Sequence, residues 1–179
     1  NIIKFILLAQ IICIPKIMSN QFNKSNPEPP SGIKESQQSL SKDFMIVTAD
    51  KRASLAAKEI LLNGGNALDA AIAAQNVLSV VEPQSSGLGG GGFLLFFNNS
   101  NKKIYAYDGR ETSSSLVKSN MYLIDDKKMN FIEAVKKPFS VGVPGLYSML
   151  ADAHNEFGLL DWQNLFASAL EYSDSFEMG

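Results

Sequence analysis

The sequence predicts an α+β domain, and three observations carry that prediction. Two helical patterns follow one another over residues 53–81, the second rich in alanine. A run with five glycines in six residues, Gly87 and Gly89 to Gly92, follows them. Beyond it, two apolar stretches joined by Asn98-Asn99-Ser100-Asn101 have the form of a β-hairpin. Helices, an antiparallel pair and further helices downstream make a layered arrangement.

The chain has 179 residues, 45% hydrophobic and 19% charged, enough for one core. The net charge is -2 and the charges are scattered, so nothing marks a nucleic-acid surface. One cysteine, Cys13, and one histidine, His154, exclude an internal disulfide and a multi-histidine metal site. No metal and no cofactor is predicted.

Lys4 precedes an apolar run over residues 5–14. That is too short for a hydrocarbon core of about 30 Å, which takes roughly 20 helical residues. Residues 1–18 therefore read as a signal peptide, with secretion or a periplasmic location and no stable membrane span. Residues 19–43 are rich in Ser, Asn, Gln and Pro and read as a flexible linker. The domain occupies residues 44–179. The chain opens on Asn1 and closes directly after a helical pattern, as a truncated piece of a longer protein would.

Within the domain, residues 44–48 form a nearly continuous apolar run and read as a buried strand. Ala53, Ala56, Ala57, Ile60 and Leu61 mark one helical face, and Gly64 stands where a left-handed residue ends a helix. Asn66 caps the second helix, with Asp69 in its first turn. Its face of Ala67, Ala70, Ala71 and Ala74 is small enough to lie flat against a sheet, and Pro83 stops it. Residues 93–97 are five large apolar side chains, a strand covered on both faces, and residues 103–107 return beside it. Residues 112–138 are polar and irregular. Pro144 opens a helix with Leu146, Met149, Leu150, Ala153 and Phe157 inward, ended by Gly158. Asp161 caps a last helix that buries Trp162, Leu165, Phe166, Ala169 and Leu170.

The glycine run is a poor phosphate loop. The order is helix, glycines, strand, and no basic residue lies between Glu82 and Lys102. Close packing of backbone layers is the better reading. Arg110 follows a strand and a glycine, where a guanidinium can grip a carboxylate with two parallel hydrogen bonds. A solvated arginine paired to Glu111 or Asp108 is the alternative. His154 lacks a Ser-His-Asp context and reads as structural.

Four segments together resemble the γ-glutamyltranspeptidase (glutathione hydrolase) family, in the N-terminal part of its large subunit. They are Gly64-Gly65-Asn66-Ala67-Leu68-Asp69-Ala70-Ala71, the stretch from Glu82 through Ser85-Ser86-Gly87-Leu88-Gly89 to Phe93, Asp108-Gly109-Arg110-Glu111-Thr112, and Ser140-Val141-Gly142-Val143-Pro144-Gly145. The resemblance implies an N-terminal-nucleophile hydrolase, a four-layer αββα sandwich of which this chain would hold part. It implies a zymogen that cleaves itself into two subunits, and a threonine at the start of the small subunit that attacks a γ-glutamyl amide. By the same resemblance Arg110 binds the α-carboxylate of the glutamyl group and Glu111 supports it. Glutathione or another γ-glutamyl compound, and the small subunit, are the implied partners. Thr48 and Thr112 lack the Thr-Thr-His type context of the nucleophile, so no catalytic residue is predicted within the chain. Ala49-Asp50-Lys51-Arg52-Ala53-Ser54 departs from the His-Pro-Leu-Ala-Ser type entry of the family. A cephalosporin acylase of the same superfamily and an inactive, decayed gene product are the alternatives.

Overall fold

The structure is a computed structural model and describes residues 38–176. The signal peptide and most of the linker lie outside the described residues. The fold is α+β, as expected.

Helix α1 (Lys51–Leu62) starts at Asp50, whose carboxylate accepts from Arg52 N at 2.7 Å. The Arg52 guanidinium also donates to it at 2.9 and 2.7 Å and holds the carboxyl below its usual range. The departure from the family entry is thus a working N-cap. After α1 the chain turns at Gly64, where φ is +90°, a region that glycine enters without steric cost.

Helix α2 (Ala67–Val81) opens with a capping box. Asn66 accepts from Leu68 N and Asp69 N at 2.8 and 3.0 Å, and the Asp69 carboxylate accepts from Asn66 N at 3.0 Å. Leu68, Ile72 and Val77 are fully buried. The expectation that α2 lies flat on a sheet needs correction: its main neighbours are helices. Ala67, Ala70, Ala71 and Ala74 line a cavity of about 440 Å³ together with residues 44–48. That segment is not the buried strand expected. It has no strand partner among the described residues, and Met45 and Val47 are exposed, because an apolar run becomes a strand only where a ladder can satisfy its backbone groups.

Strands β1 (Phe93–Asn98) and β2 (Lys103–Asp108) pair antiparallel from Phe93↔Asp108 to Asn98↔Lys103. Leu94, Phe96 and Tyr107 point to the core, and the rings of Phe96 and Tyr105 lie 5.0 and 4.5 Å from that of Phe157. The opposite face is bare: Phe93, Leu95, Phe97 and Ile104 are exposed, Leu95 by 76%. Coverage on both faces was the wrong expectation for these residues. The apolar run provides two sticky faces, and only one finds helices among the described residues. The isolated chain is expected to self-associate through the bare face. Light scattering should show aggregation that Leu95→Lys reduces; a monodisperse isolated chain would contradict this.

Residues 112–138 are more ordered than expected. They contain a two-residue hairpin, β3 (Leu123–Ile124) with β4 (Lys127–Lys128), and a short helix α3 (Phe131–Val135) capped by Asn130. Asp125 and Asp126, both at positive φ, form the hairpin turn. Helix α4 (Leu146–Phe157) begins two residues after Pro144, with Gly145 at its cap. It buries Leu146, Met149, Leu150 and Ala153 as expected. Asp161 makes no side-chain cap; a 3-10 turn over Trp162–Phe166 comes first, then α5 (Ala167–Asp174). Leu165 and Ala169 are buried, while Leu170 is exposed, because the tighter turn shifts the helical phase.

Candidate functional site

The glycine run and the end of β2 together build the site. Beyond Phe93 the ladder continues through Gly92 and Gly109, which exchange backbone hydrogen bonds of 3.2 and 2.9 Å. A Cβ on Gly91 would lie 2.7 Å from Glu111 N and 2.6 Å from its carboxylate. A Cβ on Gly109 would lie 2.9 Å from Gly145 O. Side chains cannot occupy such spaces, so β2 and the start of α4 meet backbone to backbone. None of the run's own glycines needs a positive φ. Architecture is thus the role of the run, and close approach is the physical reason for it.

Arg110 projects from this junction. Its backbone N–H donates to the Asp108 carboxylate at 2.9 Å, which fixes the turn out of β2. Its side chain is 70% exposed, and its Nε lies 3.5 Å from Glu111 Oε2. The terminal guanidinium nitrogens have no partner among the described residues, so a planar two-pronged donor faces solvent. Glu111 is wedged between Gly91 and Gly142: a Cβ on Gly142 would stand 2.8 Å from Glu111 Cβ. Thr112 and Val143 close the junction with backbone bonds of 3.2 and 2.8 Å.

A cavity lies on each side of Arg110. One, of about 290 Å³, is lined by Tyr107, Asp108, Ser148 and Asp152 as well as Arg110. The other, of about 440 Å³, includes Glu111, Ser113, Ser140, Val141 and Gly142 in its lining. Tyr107 donates to Glu156 at 2.7 Å. Burial and then this carboxylate push its phenol up to about 12, so it stays a protonated donor through the neutral range.

The two site residues read from the sequence, Arg110 and Glu111, are therefore adjacent in space as well as in sequence. Ser148 and Asp152 escaped sequence reading. Their signal is the spacing i, i+4 on the exposed face of α4, next to the buried Met149 and Ala153. Thr48 Oγ1 donates to Asp50 O and lies 2.6 Å from Ser54 Oγ, while Thr112 serves the backbone bridge. The His154 side chain is only 13% exposed. Its Nε2 donates to Leu160 O at 2.9 Å, a structural role. No group of three His, Cys, Asp or Glu among the described residues could hold a metal ion. No helix among them is long and apolar enough to cross a membrane.

Comparison with known proteins shows the family. Residues 53–176 match the family model described as gamma-glutamyltranspeptidase. A glutathione hydrolase proenzyme of Bacillus subtilis (strain 168) is 34% identical over 155 residues, 86% of this chain and 26% of that protein. The chain thus spans about a quarter of the length of this curated relative. The solved structure of a gamma-glutamyltranspeptidase from Pseudomonas nitroreducens, complexed with L-DON, superposes with a TM-score of 0.69 at 33% identity, over 74% of this chain and 39% of that one. A cephalosporin acylase from Bacillus halodurans superposes with a TM-score of 0.56 at 26% identity, over 80% of this chain and 28% of that one. The matched span takes in both helices, the glycine run, the hairpin and Arg110, so the chain belongs to the γ-glutamyltranspeptidase family, with the N-terminal-nucleophile hydrolase fold that this membership carries.

Proposed function

We propose that this chain supplies the carboxylate-binding half of a γ-glutamyl-transferring hydrolase. The observation that supports this most is Arg110 itself. Its guanidinium is exposed and open at both terminal nitrogens. It stands between two cavities on a backbone fixed by Gly91, Gly109 and Gly145. Such a group binds the α-carboxylate of a γ-glutamyl compound such as glutathione through two parallel hydrogen bonds. Glu111 orients the guanidinium through its contact with Nε.

In this reading the nucleophile is a threonine of the small subunit, freed by self-cleavage of a longer precursor. Its hydroxyl oxygen attacks the γ-carbonyl carbon. A C–O bond forms, the C–N bond breaks, and the amine leaves with the proton that the hydroxyl gives up. Water or an amino acceptor then takes the acyl group. The word proenzyme in the name of the B. subtilis relative is in keeping with such processing. Residues 1–18 act as the export signal and 19–43 as the linker, which puts the enzyme outside the cytoplasm.

The acylase likeness supports a second reading, in which the acyl group is glutaryl and lacks the α-amino group. Turnover of γ-glutamyl-p-nitroanilide against glutaryl-p-nitroanilide separates the two. The processed full-length protein is expected to prefer the γ-glutamyl substrate, and the 179-residue chain alone to turn over neither. Preference for the glutaryl substrate, or hydrolysis by the chain alone, would overturn this assignment.

A further inference from the structure

Residues 113–142 leave the fold at Thr112 and return at Val143, so they form one excursion beside Arg110. The excursion folds on itself. The rings of Tyr122 and Phe139 lie 5.4 Å apart edge to face, Met129 N donates to Tyr122 O at 2.8 Å, and Ser140 Oγ donates to Ala134 O. Against this fold-back lies a cavity of about 360 Å³ with a largely apolar lining of Leu116, Val117, Met121, Phe139 and Val141. Lys118, an exposed cation, also lines it. Phe139 and Val141 line the Arg110 cavity too, so the two spaces share a wall.

We propose that this cavity is a specificity subsite for the amino acid joined to the γ-glutamyl group, favouring an apolar side chain followed by a free carboxylate. The proposal rests on the reading of Arg110 as the α-carboxylate grip. Three features point to this occupant. The cavity adjoins one of the two Arg110 cavities across a shared wall of Phe139 and Val141. Its apolar wall is left open to solvent, Leu116 by 85% and Val141 by 71%. Lys118 supplies the charge complement of a carboxylate beside an apolar surface. A ligand that buries its side chain on Leu116 and Phe139 while its carboxylate meets Lys118 satisfies both chemistries at once.

The test uses the processed full-length enzyme with γ-glutamyl-leucine, γ-glutamyl-glycine and γ-glutamyl-leucinamide. The wild type is expected to favour leucine over glycine in kcat/KM by about tenfold. Leu116→Ser should abolish that preference by lowering kcat/KM for γ-glutamyl-leucine far more than for γ-glutamyl-glycine. Lys118→Ala should lower kcat/KM for γ-glutamyl-leucine about fivefold and spare the leucinamide, in which the leucine carboxylate is replaced by an amide. Both side chains are exposed, so neither change should disturb folding. Equal effects on all three substrates, or no effect on any, would overturn the proposal. So would loss of processing in either variant, which would show that another segment of the protein covers the cavity. Failure of the Arg110 reading shows separately, as unaltered turnover of all three substrates by Arg110→Gln.

Discussion

Asp69→Ala is expected to lower the unfolding free energy by about 3 kcal/mol, the largest loss predicted for any single polar side chain here. Asp69 is fully buried. Its carboxylate accepts from Asn66 N at 3.0 Å, from Leu159 N at 3.2 Å and from Leu160 N at 3.4 Å. It therefore joins the start of α2 to a turn 90 residues further along the chain. Asn66 reinforces the join by donating to Phe157 O at 2.6 Å, and His154 lies 3.7 Å from the carboxylate. Removing the carboxylate leaves the Asn66, Leu159 and Leu160 N–H groups without their shared acceptor. Asp69→Asn keeps the shape but aims an NH2 group at N–H donors, so it should recover only part of the loss. Urea unfolding measures both. A loss below about 1 kcal/mol for the alanine variant would show that water satisfies the donors.

Arg110→Gln is expected to reduce kcat/KM for γ-glutamyl substrates about a thousandfold, equivalent to about 4 kcal/mol. The effect should fall mainly on KM, because the grip holds ground state and transition state alike. Arg110→Lys should keep the charge but not the two-pronged geometry, and fall between the two. Stability should not change, since the exposed pair with Glu111 is worth well under about 1 kcal/mol. A variant that loses activity and stability together would make Arg110 a structural residue and contradict the assignment. Glu111 differs. Packed between Gly91 and Gly142, it cannot be enlarged without moving the backbone that carries Arg110.

The helices were legible because their signals are local. The 3.6-residue spacing of Ala53, Ala56, Ala57 and Ile60 marks the buried face that the structure shows. Asn66 and Asp69 announce a capping box within four residues. Asn98 to Asn101 announce a hairpin turn, and the β1–β2 register follows from it. What failed was information about neighbours. Residues 44–48 and 93–97 are both apolar runs, yet one pairs and the other does not, because pairing depends on a partner that the run itself does not specify. The same limit hid the long-range partners of Asp69, which was visible only as a helix-start residue. At the site, the Asp-Gly-Arg-Glu segment pointed to Arg110. Ser148 and Asp152 were invisible, because only the meeting of Gly109 with Gly145 brings the exposed face of α4 beside β2. The glycine run was legible as a place of close approach, but what approaches it, the Glu111 backbone, was not.

The most direct test of Arg110 removes its partner from the substrate instead of from the protein. The processed full-length enzyme is given γ-glutamyl-p-nitroanilide and 4-aminobutanoyl-p-nitroanilide, which lacks only the α-carboxylate. The wild type should favour the first by about a thousandfold in kcat/KM, and Arg110→Gln should shrink that ratio to less than about tenfold. A ratio that survives the substitution unchanged would show that another group reads the carboxylate and that Arg110 does not.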